Sequence, residues 1–112
     1  MSAALIERLR KNRESKVEAG GHVFIVRRPT DLEWAELDDS STARALMKHI
    51  VGWEGVTELD LYAGGAGHPV PFDAALAQEW LADRPDLLVA VSRAVVDAYR
   101  THVEKQGAAR KN

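Results

Sequence analysis

Four histidines are the residues of this chain best suited to metal or acid–base chemistry, but their spacing does not form a ligand set. They stand at His22, His49, His68 and His102. A zinc site on a helix usually places two histidines three or four residues apart, often beside a carboxylate. His49 and His68 would have to meet a carboxylate such as Asp60 through the tertiary fold. The sequence therefore predicts no metal site, and we expect His102 to be a partly buried residue on a helix.

Hydroxyl and carboxyl groups do not form a catalytic grouping either. Ser40 and Ser41 precede a predicted helix, where hydroxyls cap backbone amides. No Gly-x-Ser-x-Gly elbow occurs, and the absence of cysteine excludes thiol catalysis. The closely spaced carboxylates of Glu58 and Asp60 fit a turn or a helix cap better than acid–base chemistry. We therefore predict a protein without catalytic residues and without a cofactor.

Residues 64–67 form a glycine-rich loop, a type of segment that can hold phosphate. Such a loop follows a strand and leads into a helix N-terminus, often with a Lys and a Ser or Thr. Neither residue type follows here, and Pro69 and Pro71 come before the next predicted helix. We interpret this loop as a flexible connector.

Length and composition are those of an ordinary globular protein. The 112 residues are enough for a single domain, residues 1–112, with a buried core. The 15 Lys and Arg residues oppose 17 Asp and Glu residues, and this near balance argues against nucleic acid as the main partner. No apolar run approaches the roughly 18 residues that span a membrane, and the first residues do not form a secretory signal. We expect a cytoplasmic protein that binds neither nucleic acid nor a membrane.

The first third of the chain predicts a short helix and a hairpin. Residues 3–13 carry a small apolar stripe at helical spacing. Two β-prone runs, residues 16–19 and 22–27, are separated by Gly20 and Gly21, which is typical of a two-residue hairpin turn. An isolated hairpin is marginally stable, so these strands should lie against helices.

The middle of the chain predicts two helices and an undecided link. Thr30 and Glu33 have the spacing of a capping box. An apolar stripe that ends at Ile50 predicts a helix over residues 41–51, with Gly52 as its terminator. Residues 57–62 fit a turn of helix or a short extended piece equally well.

The last third predicts two helices, over residues 74–82 and 85–105. Gly107 is expected to end the second helix, whose predicted buried stripe runs from Leu88 to His102. The predicted fold class is α+β, mainly α, with a small N-terminal β-hairpin packed on a bundle of about four to five helices. The N-terminal helix and a tail over residues 107–112 are expected to be mobile.

Aromatic residues are the best candidates for partner contacts. Trp80 shares a helical stripe with Leu76 and should belong to the core. Trp53 and Tyr62 lie in the link, where an aromatic side chain either fills the core or is offered to a partner. Exposed aromatic anchors contribute much of the binding energy at interfaces. Trp53, Tyr62 and Phe72 are therefore the candidate partner-binding residues.

Several stretches of the chain resemble one protein family. The most specific are Gly52-Trp53-Glu54-Gly55-Val56, Val70-Pro71-Phe72 and Trp80-Leu81-Ala82-Asp83-Arg84-Pro85-Asp86-Leu87. These stretches resemble the sequences of the tail assembly chaperones of phages and prophages with long, non-contractile tails. The resemblance implies a non-enzymatic protein that binds the tape-measure protein, keeps it soluble and helps to recruit major tail subunits. None of these stretches carries chemistry.

A mechanism follows from the resemblance. A long helical partner with exposed apolar stripes would bind in an apolar groove between helices, with many weak copies along one partner and weak self-association. The alternative is a structural virion component, such as a head–tail connector or a tail-completion protein, which would form stable rings. A small regulatory or enzymatic protein would instead need a ligand pocket with perturbed ionisable groups.

Overall fold

The computed structural model describes residues 2–37 and 42–110, which form an antiparallel sheet with helices around it. The elements in chain order are α1 (Ser2–Lys11), β1 (Glu14–Ala19), β2 (His22–Arg27), α2 (Asp31–Ala35), α3 (Thr42–Leu46), a 3-10 turn (Met47–His49), β3 (Ile50–Glu54), α4 (Glu58–Leu61), α5 (Ala74–Ala82) and α6 (Pro85–Arg110). The predicted α+β class is confirmed. The described residues form six α-helices, so the prediction of four to five helices was wrong. The predicted N-terminal hairpin is present, but a third strand extends it into a three-stranded sheet.

The predicted hairpin forms the first two strands of the sheet. Gly20 and Gly21 have φ angles of +57° and +82°, the left-handed conformation that a tight hairpin turn needs and that glycine adopts without strain. Strand β2 is central, and Phe24 lies between Val17 of β1 and Trp53 of β3. The side chain of Phe24 is fully buried against the helices.

The third strand replaces the end of a predicted helix. Helix α3 ends at Leu46, and Ile50 belongs to β3 instead of the helical stripe. The register shifts by one residue between Ile25 and Val26, so that Ile50 and Trp53 both face the core although they are three residues apart. Apolar residues three positions apart usually indicate a helix, and for this reason the sequence predicts a helix where the strand lies. Ser40 and Ser41, the predicted capping residues, lie outside the described residues.

The core lies between the sheet and the last two helices. Trp80 of α5 packs edge to face on Trp53, with ring centroids 5.9 Å apart, and its ring lies 6.0 Å from that of Phe24. Leu81 of α5 and Val95 of α6 are fully buried beside them. Burial of side chains of this size contributes about 1.5–3 kcal/mol each, so this cluster holds the helices on the sheet.

Helix α6 is the longest element and packs across β1, β2, α3 and α5. Its most buried residues are Leu87, Val91 and Val95, so the buried stripe begins one residue before the predicted Leu88, which is half-buried. The helix continues through Gly107 to Arg110, so the prediction that Gly107 ends it was wrong. A glycine costs a helix only about 1 kcal/mol, and the alanines that follow are the best helix formers.

Helix α2 is short and is held by its ends. The predicted capping box is present: Thr30 Oγ1 accepts from the Glu33 amide at 3.1 Å, and the Glu33 carboxylate accepts from the Thr30 amide at 2.9 Å. Trp34 stacks on Tyr99 of α6 with ring centroids 4.3 Å apart. The stack joins α2 to the outer half of α6.

Candidate partner-binding groove

Helix α4 is four residues long and is held together by its cap. The hydroxyl of Thr57 accepts from the amide of Asp60 at 3.3 Å, and the carboxylate of Asp60 accepts from the amide and the hydroxyl of Thr57 at 2.8 and 2.9 Å. This reciprocal pair is a capping box with Asp at the third helical position. It settles the conformation of residues 57–62, which the sequence leaves open, in favour of a helical turn.

The glycine-rich loop folds back over α4. The amides of Glu58 and Leu59 donate to the carbonyls of His68 and Ala66 at 3.1 and 2.9 Å. A Cβ atom on Gly65 would lie 2.6 Å from the carbonyl oxygen of Glu58, so only glycine fits this close approach. The prediction of a flexible connector missed these contacts, which fix the loop against the first turn of α4.

Tyr62 follows α4 and is 56% exposed. Its hydroxyl donates to the Glu58 carboxylate at 2.6 Å, which raises the pKa of the Tyr62 phenol and lowers the pKa of Glu58. The same carboxylate accepts from the Ala66 amide at 3.4 Å. An exposed aromatic ring with a fixed orientation loses little entropy on binding, which suits an interface anchor.

Two cavities of about 470 and 520 Å³ lie side by side between α4 and α5. They have four lining residues in common: Leu61, Tyr62, Glu79 and Trp80. Apolar side chains at Val70 and Leu76 complete one end, and Leu59, which is 55% exposed, lies at the other. We call this continuous depression the α4–α5 groove.

The rim of the α4–α5 groove is acidic. Carboxylates from both walls line it: Glu58, Asp60, Glu79 and Asp83. The cation that lines it, Arg84, is paired with Asp86 at 2.9 Å. An apolar floor with an acidic rim favours an apolar surface flanked by Lys or Arg.

The three candidate contact residues take different places. Tyr62 lines the groove. Trp53 is 8% exposed, and its indole Nε1 donates to the Val70 carbonyl at 2.8 Å, so it lies in the core beneath Val70. Phe72 is half-buried, with its ring edge to face on Trp53 at 5.1 Å. Trp53 and Phe72 therefore support the groove from behind, whereas Tyr62 is exposed to solvent.

Other side chains of the groove were not singled out from the sequence. Leu59, Leu61 and Leu76 were missed because their wall forms only when α4 and α5 come together. The sequence feature that could have indicated these residues is the alternation of acidic and apolar residues in Glu-Leu-Asp-Leu at α4. This alternation places carboxylates beside leucines on one helical turn.

The histidines do not gather around a carboxylate. Asp60 is hydrogen-bonded to Thr57, whereas His49 is buried elsewhere, and no three potential metal ligands come together within residues 2–37 and 42–110. His102 is half-buried on α6, with Nε2 3.2 Å from the Asp31 carboxylate, as predicted for a satisfied helical histidine. Among the helices that the structure describes, none has the length and apolar content to cross a membrane.

No protein-family model, curated protein or solved structure matches the chain.

Proposed function

We propose that this protein is a non-enzymatic tail assembly chaperone that binds an apolar helical segment of the tape-measure protein in the α4–α5 groove. The observation that carries the proposal is the exposure of Tyr62 and Leu59 beside a groove walled by Leu61, Leu76 and Trp80. The resemblance noted in the sequence supplies the identity of the partner.

The groove suits an amphipathic helix. Such a helix binds through side chains at positions i, i+3, i+4 and i+7, which form one apolar stripe along its length. The two cavities share four lining residues and so place apolar side chains next to each other at the surface, as such a helix requires. The side chain of Tyr62 lines both cavities and would insert between successive turns of the bound helix.

The acidic rim selects among helices. A segment with Lys or Arg beside its apolar stripe would pair with Glu58, Glu79 and Asp83, whereas an acidic segment would be repelled. Binding of this kind weakens as salt screens the rim charges. Weak binding at each segment suits a chaperone that must leave when the major tail subunits assemble around the tape-measure protein, since many copies on one partner still bind with avidity.

Co-expression with the long helical protein encoded immediately downstream, followed by co-purification and a solubility assay, tests the proposal. Tyr62→Ala combined with Leu59→Ser should abolish co-purification and leave the downstream protein insoluble. The matched control is Leu32→Ser, which removes a 70% exposed leucine of α2 outside the groove and should leave binding unchanged. Trp53 is kept, because truncating a buried tryptophan costs about 3–5 kcal/mol of stability and would unfold the groove.

Two outcomes would overturn the proposal. Undiminished binding by the Tyr62→Ala and Leu59→Ser variant, with native circular dichroism, would place the interface elsewhere. A stable ring of this chain that ignores the downstream protein would favour the structural alternative, a head–tail connector or tail-completion protein.

A further inference from the structure

A basic surface surrounds Arg13, which lies between α1 and β1. Arg13 lines two cavities, one of about 400 Å³ beside α6 and one of about 320 Å³ beside α2 and the 3-10 turn. Cationic side chains from several elements line these cavities: Arg10, Arg13, Arg27, Arg28, Lys48 and Lys105. We call these residues the Arg13 surface, and the α4–α5 groove shares none of them.

Arg13 and Arg28 form a like-charged pair across two strands. Glu14 and Arg27 are opposite each other at the end of the β1–β2 ladder, and the amide of Arg28 donates to the carbonyl of Arg13 at 2.9 Å. Arg13 and Arg28 therefore continue the ladder by one residue on each side. Opposite residues of an antiparallel pair project to the same face, with Cβ atoms about 4.5–5.5 Å apart, and like charges in this arrangement are destabilising. Burial lowers the pKa of Arg28 and the charge of Arg13 lowers it further, whereas Asp31 acts in the opposite direction.

The carboxylates that line the same two cavities already have partners. Glu14 accepts from Nη2 of Arg27 at 2.9 Å, and Glu33 accepts from the amide of Thr30 at 2.9 Å in the cap of α2. The ion pairs in the described parts of the chain include neither member of the like-charged pair, although both side chains are half-buried. An anion placed between the two guanidinium groups would offset their repulsion.

The arrangement of the cations favours a ligand with several carboxylates. Cationic side chains line both cavities, so a chain that carries several anionic groups can contact more of them than a single ion can. Guanidinium groups match carboxylates in a planar, bidentate geometry, and Nη1 of Arg28 is held in place by the carbonyl of Pro29 at 3.0 Å.

Two observations argue against nucleic acid as the ligand. Single-stranded nucleic acids bind through bases stacked on aromatic rings, and the described residues that line the two cavities include no Phe, Tyr or Trp. Duplexes bind through many neutralised phosphates, whereas the net charge of this chain is −2. An acidic polypeptide therefore fits this surface better.

We propose that the Arg13 surface binds an acidic segment of a partner protein. One carboxylate of the segment bridges Arg13 and Arg28. Further carboxylates pair with Lys105 in the larger cavity and with Arg10 and Lys48 in the smaller one. This site does not depend on the proposed chaperone function, because the α4–α5 groove has other residues and the opposite charge.

Fluorescence anisotropy with a labelled hexaglutamate peptide tests the site. The peptide should bind saturably and more weakly as salt is added, and a hexaglutamine peptide should not bind. Equal or tighter binding of a labelled hexathymidylate would overturn the proposal in favour of nucleic acid. Displacement of the peptide by inorganic phosphate at the same concentration would overturn it in favour of a single-ion site, and no saturable binding of hexaglutamate would overturn the site itself.

Matched variants test the location. Arg13→Gln should weaken hexaglutamate binding about tenfold, the loss expected for a charged hydrogen bond. Arg93→Gln removes the same charge from an exposed position of α6 outside both cavities and should leave binding unchanged, as should Tyr62→Ala in the α4–α5 groove. Equal losses in Arg13→Gln and Arg93→Gln would mean unspecific attraction and would overturn the proposal.

Urea denaturation gives a second readout, in which stability and binding change in different directions. Without peptide, Arg13→Gln should unfold at the same urea concentration as the unaltered chain or at a higher one, because it removes the like-charged pair. Hexaglutamate should raise the midpoint of the unaltered chain more than that of Arg13→Gln. A lower midpoint for Arg13→Gln without peptide would mean that Arg13 has a stabilising partner within the fold and would overturn the proposal.

Discussion

Gly65 lies where the loop after α4 passes closest to that helix. In Gly65→Ala the new Cβ would lie 2.6 Å from the Glu58 carbonyl oxygen, and because that oxygen belongs to the backbone it cannot move aside as a flexible side chain would. We expect the free energy of unfolding, measured by urea denaturation, to fall by about 1–3 kcal/mol, the usual cost of overpacking.

Gly67→Ala in the same loop is the matched control. A Cβ on Gly67 has open space around it, and its backbone is not in the left-handed region. This variant should be neutral or slightly stabilising, because alanine restricts the unfolded chain. Equal behaviour of the two variants would contradict the close packing of the loop on α4.

At the scale of the element, α4 depends on one carboxylate. The amide of Thr57 donates to the charged carboxylate of Asp60 and lowers the pKa of Asp60. The hydroxyl of Thr57 also donates to this carboxylate and has a smaller effect in the same direction. A carboxyl whose folded pKa lies below its unfolded value of about 3.9 stabilises the fold fully above that value and loses this contribution as the pH falls through the folded pKa. Stability should therefore decline below about pH 4, partly through the loss of this cap.

Asp60→Asn isolates the cap, because asparagine keeps the shape of the side chain but cannot titrate. Urea denaturation between neutral pH and strongly acidic pH should give a shallower decline for Asp60→Asn than for the unaltered chain. Parallel curves would contradict a lowered pKa for Asp60. Because this carboxylate is partly open to solvent, the difference will be small and best measured at low salt.

Elements with local signals were predictable from the sequence. The turn at Gly20 and Gly21, the capping box at Thr30 and helix α5 each follow from residues close together in the chain. Strand β3 was not predictable in this way, because its bulge gives Ile50 and Trp53 a helical spacing. The extent of α6 was misjudged because the glycine signal is weak in a long helix.

At the scale of the whole molecule, α1 and the α4–α5 groove have complementary character. None of the residues of α1 is buried, and its leucines and isoleucine, Leu5, Ile6 and Leu9, are exposed beside a basic last turn. We expect weak, salt-sensitive self-association in which α1 of one copy occupies the acidic groove of another. Sedimentation velocity over a concentration series, at low and at high salt, measures it.

Leu5→Ser combined with Leu9→Ser should abolish this association, and Leu32→Ser should not. Tyr62→Ala should weaken it from the other side of the contact. Association that is unchanged by the α1 substitutions, or that strengthens with salt, would contradict the prediction. A bound tape-measure segment would compete for the same groove, so self-association and partner binding should be mutually exclusive.

Little of the groove was predictable, although one of its residues was. Tyr62 was a candidate because an aromatic residue in a link either fills the core or contacts a partner. The sequence does not distinguish these two roles for Tyr62 or for Trp53. The structure distinguishes the two: Trp53 is buried and donates to the Val70 carbonyl, whereas Tyr62 is exposed and donates to the Glu58 carboxylate.

The arrangement of the tryptophans has an optical consequence. Trp80 lies in the wall of the groove and is in edge-to-face contact with Trp53, whereas Trp34 is stacked on Tyr99 at the junction of α2 and α6. Excitation at the red edge of the absorption band would therefore report on two distinct environments. In a Trp34→Phe background the remaining emission, and the exciton signal of the Trp53–Trp80 pair in near-ultraviolet circular dichroism, would respond to occupation of the groove without any attached dye.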